Sequence, residues 1–450
     1  MLTDPIVALA TPPGRSAIAL LRLSGRGAFT LAARCLSPFR PDPARVVTRA
    51  TLHHPTTGEP IDDVLAACFP EPHSYTGEDL VEISTHGGLL VPADALAALV
   101  AAGARLAEPG EFTRRAVLNG KMDLLQAEAT ADLIDAGAPA QRRRALRQLD
   151  RGLSERLAAL REEILHLEAL IAYDIDFPEE DEGPVNEEQV RGAWHVVRGR
   201  VQRLLETAPE GERLREGALV VIAGPPNAGK SSLFNALLGN ERAIVTDIPG
   251  TTRDAIEAHV VLEGFPFRLV DTAGLRASDD TVEKIGIEVS RKYLGAADLV
   301  LYCEECGVRG AGLQSARDEF LAAVQATVIE VVTKADLPAC PPARQPAIAV
   351  STISGAGLDL LKRRLAEVAF GRLLSLGDVE PVVTRARHRT ALQQALSELD
   401  AFQVARVSGV DAAAAATHLR AAVTALDDLI GVVTPDDVLD RVFASFCVGK

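Results

Sequence analysis

Residues 219–238 read LVVIAGPPNAGKSSLFNALL, and this stretch decides the fold. The apolar run 219–223 has the composition of a buried strand, and SLFNALL has that of a helix. Between them, GPPNAGKS (224–231) fits the spacing GxxxxGK[ST], in the required order of strand, loop and helix. Glycines let backbone amides close around phosphate oxygens. The Lys230 ammonium reaches the β and γ oxygens, and the Ser231 hydroxyl is a magnesium ligand. Asn227, Ala228, Gly229, Lys230, Ser231 and Ser232 are therefore the first nucleotide-binding candidates.

Working outward, TDIPGTTRD (246–254) follows about twenty residues on. Thr251 or Thr252 there can complete a magnesium shell and sense a γ-phosphate. Thr246, Asp247, Ile248, Pro249 and Gly250 lie in the same segment. The strand FRLV runs into Asp271, Thr272, Ala273 and Gly274. Asp271 is placed to support the magnesium, and the Gly274 amide to face the γ-phosphate. TVIEVV then ends at Thr333, Lys334, Ala335 and Asp336, which resembles the guanine-recognition motif NKxD. Asp336 accepts from donors that guanine has and adenine lacks. AIAVSTISGAG (347–357) supplies a last base-contacting loop with Ser351, Thr352 and Ile353. Together these predict a Ras-like GTPase domain, a mixed sheet with helices on both faces.

Two positions depart from the usual pattern. Thr333 replaces asparagine, which implies one lost amide contact, and Thr352 replaces alanine. Ras-like enzymes carry a water-orienting glutamine after DxxG, but Leu275 occupies that position here. Asn227 and the TDIPGTT segment resemble the arrangement of potassium-activated GTPases, where a cation neutralises charge between the β and γ phosphates. Glu283 is the carboxylate chosen to orient water, against the plainer reading of a solvated helix charge.

At 450 residues the chain predicts two or three domains. It is 47% hydrophobic and 24% charged, the range of globular proteins. No apolar run reaches membrane-spanning length and no leader pattern is present, so a cytosolic protein with no membrane partner is expected. A net charge of -15 argues against indiscriminate nucleic-acid binding. The six cysteines are expected to be reduced thiols, with the Cys303–Cys306 CxxC read as a buried strand end rather than a metal or redox site.

Residues 1–118 alternate like an α+β domain, with strands in IVALAT, AIALLRLS, RVVTRATL, VLAACF and LVEIST and a helix in PADALAALVAAGARL. Residues 119–213 turn helical. Leu146, Leu149, Leu153, Leu157, Leu160, Ile164, Leu167 and Ile171 recur at steps of three and four, which predicts one long amphipathic helix. The nucleotide motifs occupy 214–372, and helical patterns return over 373–450. That layout predicts a GTPase domain inserted into a helical one.

Beyond the nucleotide motifs stand ATPPGR (10–15), SYTGEDLVEISTHGG (74–88), PGEFTRRAVLNGKMDLLQAEA (109–129), DTAGLR (271–276) and FCVGK (446–450). With these in view the whole chain resembles the MnmE (TrmE) family of tRNA-modification GTPases. The resemblance implies an N-terminal domain that binds a tetrahydrofolate one-carbon carrier (5-formyl- or 5,10-methylene-tetrahydrofolate) and forms the homodimer. It implies a FAD-containing MnmG-type partner in a heterotetramer, and addition of a carboxymethylaminomethyl or aminomethyl group to C5 of a tRNA wobble uridine. GTP binding and hydrolysis to GDP would drive opening and closing of paired GTPase domains. Carried over residue by residue, it marks Arg22, Glu82, Lys121 and Lys450 for folate. It marks Asn227, Thr246, Ile248 and Thr251 for potassium, and Ser231 and Thr252 for magnesium.

Cys447 is open to two readings, a nucleophile of the modification chemistry or a packing residue. Arg142, Arg143, Arg144, Arg147 and Arg151, and the run TRARHR (384–389), are local basic patches that fit either tRNA contact or a structural helix face. A competing function is a ribosome-assembly GTPase without modification activity, but no second phosphate loop or GxxG-centred module follows residue 370.

Overall fold

The computed structural model describes residues 4–176, 187–239, 257–272, 292–308, 311–338, 340, 346–377, 380–431, 436–444, 446, 448 and 449. The chain divides into two compact units, Met1–Ala131 with Asp427–Lys450, and Asp132–Leu426.

The first unit opens with β1 (Ile6–Leu9), β2 (Gly14–Ser24), α1 (Ala28–Cys35), β3 (Leu36–Ser37), β4 (Thr48–His53), β5 (Pro60–Phe69), β6 (Leu80–Gly88), α2 (Leu90–Ala102), β7 (Arg105–Leu106) and α3 (Glu111–Leu118). Its seven strands form one sheet in the order β3-β4-β5-β6-β2-β1-β7. Inward residues Val7, Leu21, Leu23, Leu52, Val64 and Ile83 bury against Ala28, Ala32, Ala95 and Leu99 of the two helices. Period-two alternation in the strands thus puts one face of the sheet under α1 and α2. The antiparallel register of β2 and β6 sets Arg22 opposite Glu82.

Helix α4 (Leu124–Asp135) starts with a reciprocal cap, in which the Gln126 amide donates to Asp123 Oδ1 (2.8 Å) and the Asp123 amide to Gln126 Oε1 (3.1 Å). The periodic leucines then form two helices rather than one. These are α5 (Pro139–Leu149) and α6 (Gly152–Asp176), separated where Arg151 takes φ 64°. A left-handed residue cannot continue a right-handed helix, so Leu146 stays on the shorter helix at 45% exposure while Leu153, Leu157, Leu160, Ile164, Leu167 and Ile171 are buried.

The helical layer continues in α7 (Glu187–Leu205) and α8 (Ala208–Glu216). The nucleotide-type fold follows as β8 (Ala218–Ala223), α9 (Lys230–Leu238), β9 (Glu257–Leu262), β10 (Phe265–Asp271), β11 (Leu299–Glu305), α10 (Ala311–Ala323), β12 (Thr327–Thr333), β13 (Ile348–Ala349) and α11 (Leu358–Leu376). The strand order is β13-β12-β11-β8-β10-β9, parallel except for the antiparallel β9–β10 pair. On β8, Ala218, Val220 and Ile222 point into the core shared with Leu233, Leu237, Leu361 and Phe370. Leu219, Val221 and Ala223 point the other way, toward Tyr293, Phe320 and Val324. Both faces are therefore covered by helices, which is why the strand reads as an unbroken apolar run.

After this sheet come α12 (Ala386–Val407), α13 (Ala412–Ile430) and α14 (Asp436–Phe443). Within the second unit the helical segments on either side of the sheet pack together. The buried Trp194 Nε1 donates to the Leu399 carbonyl (2.7 Å), and Arg198 pairs with Asp400 (2.6 Å). Within the first unit Leu439 and Phe443 of α14, with Phe446 just beyond it, pack against Leu124 and Ala127. No helix among the described residues is long and apolar enough to cross a membrane.

Candidate functional site

The nucleotide motifs that fall among the described residues stand at the carboxyl ends of parallel strands, where open α/β sheets bind ligands. The loop after β8 begins at Gly224, whose φ is 141° and whose Cβ, had it one, would lie 2.2 Å from the Cys303 carbonyl oxygen. Only glycine lets this loop pass the end of β11. Asn227 also adopts positive φ, at 62°, and is exposed. Lys230 is only 8% exposed, and its ammonium donates to the carbonyls of Gly224 (3.1 Å) and Pro225 (2.8 Å). Ser231 and Ser232 open α9 with exposed side chains.

Asp271 ends β10 in register with Ile222 of β8 and is 7% exposed. Thr272 Oγ1 donates to the Ile222 carbonyl (2.8 Å), which ties the two strand ends together. Lys230, Ser231 and Asp271 thus share one end of the sheet, a cation beside hard oxygen donors.

On the other side, Thr333 ends β12 and is 2% exposed. Its hydroxyl faces two carbonyls, of Ala228 at 2.8 Å and Glu304 at 3.1 Å. The side chain at the asparagine position therefore ties the phosphate loop to β11 and β12. Lys334 pairs with Glu305 (2.6 Å), and the Ala335 amide donates to the Val350 carbonyl (3.2 Å). Asp336 is exposed and accepts from Ser351 Oγ (2.6 Å), while the amides of Ile353 (3.3 Å) and Ser354 (3.1 Å) donate to that same hydroxyl oxygen. Thr352 is half-buried, and Ile353 is 86% exposed at the loop tip.

Thr246, Asp247, Ile248, Pro249, Gly250, Thr251, Thr252, Ala273, Gly274 and Glu283 lie outside the described residues, as do Cys447 and Lys450.

In the first unit Arg22 Nε lies 2.9 Å from Glu82 Oε1, and its guanidinium stands 5.7 Å from the Tyr75 ring centroid. Its Nη1 donates to the Gly449 carbonyl at 3.5 Å, so the C-terminal tail reaches this pair. Burial raises the Tyr75 phenol above its usual range. The Lys121 ammonium donates to the Pro72 carbonyl (2.9 Å), in the loop that leads to Tyr75. Tyr75 lies in the quoted stretch SYTGEDLVEISTHGG (74–88), ahead of β6, and nothing in its spacing marks it as the ring beside Arg22.

The basic patches divide. Arg144 donates to the carbonyls of Glu380 and Gly377, Arg385 pairs with Asp132 (2.6 Å), and Arg389 with Glu212 (2.9 Å), so these three serve the fold. Arg142, Arg147 and Arg151 are exposed.

The cysteine expectation needs correction at one pair. Cys306 and Cys340 are joined by a disulfide, with Cα atoms 5.4 Å apart. A separation of 34 residues gives no hint of this; the parallel pairing of β11 with β12 brings both following loops to the same end of the sheet. The strand-end reading of the CxxC holds for Cys303, which is buried within β11 with its thiol pushed up to about 12, and fails for Cys306, which lies past the strand and is disulfide-bonded. No cluster of metal-ligating side chains occurs among the described residues.

A phosphate loop, a buried aspartate one strand away and a lysine–aspartate segment on the far side, all at one end of a mixed sheet, define a P-loop GTPase. The family model described as "MnmE helical domain" matches residues 124–447, and "GTP-binding protein TrmE N-terminus" matches residues 5–121. The tRNA modification GTPase MnmE of Moorella thermoacetica is 42% identical over 468 residues, covering 100% of both chains. That of Methylorubrum populi is 44% identical, covering 99% of this chain and 98% of its own, and that of Aquifex aeolicus is 40% identical over 100% of each. The chain belongs to the MnmE (TrmE) family and is a GTP hydrolase of tRNA wobble-uridine modification.

Proposed function

We propose that this GTPase works with a FAD-containing MnmG-type partner, as a homodimer joined through its N-terminal domain, to place an aminomethyl or carboxymethylaminomethyl group on C5 of the tRNA wobble uridine. The division into 1–118, 119–213, 214–372 and 373–450 is part of this reading, as is action in the cytoplasm. The observation that carries it is the match of one chain, end to end, to both the N-terminal and helical family models.

Hydrolysis rests on charge placement. Lys230 neutralises the β and γ oxygens, and amides of the loop from Asn227 to Ser232 surround them. The Ser231 hydroxyl and the Asp271 carboxylate suit magnesium, a hard cation that takes oxygen ligands. The exposed Asn227 amide oxygen suits potassium, with Thr246, Ile248 and Thr251 as its companions and Thr252 completing the magnesium shell. Glu283 orients the attacking water. When bound, the two cations would supply positive charge to offset the negative charge that develops on the phosphate oxygens.

The Arg22–Glu82 pair beneath the C-terminal tail fits a reduced folate. One Glu82 oxygen is engaged by Arg22 and the other remains for a pterin edge, while Lys121 and Lys450 suit glutamate-tail carboxylates. GTP turnover then opens and closes the paired GTPase domains rather than transferring the carbon unit.

Mass analysis of wobble uridines in a deletion strain tests the reading. Loss of the C5 group, restored by this chain and not by Lys230→Ala, is expected. Unchanged uridines in the deletion strain contradict it.

A further inference from the structure

Helix α5 is fastened to its own unit by a few specific residues. The Ala140 amide donates to the Gly264 carbonyl (3.0 Å) in the turn between β9 and β10, and Ala140, 4% exposed, joins the core of the nucleotide-type sheet. Gln141 Nε2 donates to the Arg215 carbonyl (3.0 Å) at the end of α8, and Arg144 to the Gly377 and Glu380 carbonyls at and past the end of α11. Arg142, Arg147 and Arg151 take no part in this. They are exposed, and their side chains form no hydrogen bond or ion pair among the described residues.

Carrying these arginines costs the helix something. PAQRRRALRQL (139–149) holds four arginines and no acid, in a chain whose net charge is -15. Like charges crowded on one helix disfavour it, and cations near its start oppose the helix dipole. A face that merely meets solvent is better served by charges of both signs.

We infer that the exposed face of α5, with Arg142 and Arg147 on the helix and Arg151 just past it, is a docking surface for the sugar–phosphate backbone of tRNA. This rests on the tRNA-modification reading above and names the place where the nucleic acid is held. Guanidinium groups present paired donors to phosphate oxygens. An acidic chain repels RNA over most of its surface and holds it where positive charge is concentrated. Arg142 and Arg147 stand about 7.5 Å apart along the helix axis, so they address separate phosphates rather than sharing one.

The test follows the full chain with an unmodified tRNA bearing a wobble uridine, by fluorescence anisotropy over a series of salt concentrations. Arg142→Gln/Arg147→Gln/Arg151→Gln should bind about ten-fold or more weakly and lower the slope of log affinity against log salt by about two to three, since each phosphate contact contributes about 0.7–0.9. The corresponding triple change to lysine keeps the charges and should restore most of that slope. Arg26→Gln/Arg191→Gln/Arg203→Gln removes the same net charge from other exposed positions and should bind like the parent. Circular dichroism and GTP hydrolysis are expected to be unchanged in all three. Parent-like affinity and slope in the first variant, or an equal loss in the third, overturns the proposal. So does a first variant that keeps tRNA and loses the FAD-containing partner, which assigns the face to a protein. A parent chain that binds no tRNA overturns it as well, and the proposed function falls with it only if the wobble uridines of the deletion strain are also unchanged.

Discussion

The Thr333 hydroxyl lies 2.8 Å from the carbonyl oxygen of Ala228, so the end of β12 is bonded directly to the loop after β8. One proton there serves two carbonyls, since the Glu304 oxygen is 3.1 Å away. The two halves of the nucleotide site are therefore a single mechanical piece.

Thr333→Val keeps the side-chain volume and removes the proton, leaving buried carbonyls unsatisfied at a cost of about 1–3 kcal/mol. Titration calorimetry should show GDP affinity reduced about ten-fold or more, while Thr333→Ser should stay near the parent.

The first unit holds a buried cation that no sequence spacing marks. Arg115 is 1% exposed and donates to Asp4, Glu78 and Glu111, the last at 2.9 Å. Burial alone would raise the Glu111 carboxyl, but bonds from Arg105, the Glu108 amide and Arg115 outweigh it, and the group sits below its usual range. Arg115→Ala leaves Glu111 to Arg105 and the Glu108 amide but removes the buried guanidinium that also holds Asp4 and Glu78, and should destabilise the unit by about 1–3 kcal/mol. Urea unfolding followed by circular dichroism measures this, and a loss under about 1 kcal/mol would mark the network as no more than a surface ion pair.

Gly449 has φ 95°, and a Cβ on it would come 2.6 Å from the Leu9 carbonyl oxygen. Gly449→Ala should push the tail away from Arg22 and weaken binding of 5-formyl-tetrahydrofolate, with GTP hydrolysis unchanged. Fluorescence titration with the folate, set beside phosphate release, separates the two effects. Equal folate affinity would remove the tail from that site.

Burial pushes the Cys35 and Cys68 thiols up to about 11 from an ordinary 9.0. The unfolded chain gives up these protons first as pH rises. Their contribution to stability is therefore complete below about pH 9 and is lost between about pH 9 and 11. Urea midpoints measured across that window should fall, and should fall less steeply in Cys35→Ala/Cys68→Ala.

Much of the nucleotide site is legible in the sequence because its parts are local. GPPNAGKS needs only its own glycines and the strand before it, and TKAD needs only the end of β12. What is hidden depends on distant partners. The Arg22–Gly449 bond spans 427 positions, and the Cys306–Cys340 link depends on two strands being neighbours. The break between α5 and α6 was hidden for a different reason. Leucine spacing runs on through Asp150 and Arg151, and nothing in an arginine announces a φ of 64°. Arg144, Arg385 and Arg389 show the same limit, since a basic cluster looks alike whether it faces solvent or closes the fold.

The central claim is that a phosphate loop gripping a triphosphate is made guanine-specific by Asp336. Competition binding of GTP and ATP against a fluorescent GDP analogue, for the parent and for Asp336→Ala, tests it most directly. The parent should prefer GTP by about a hundred-fold or more, the cost of leaving the Asp336 carboxylate without the donors that only guanine brings, and the variant should lose that preference. Equal displacement by ATP and GTP in the parent, or a preference that survives in Asp336→Ala, would contradict it.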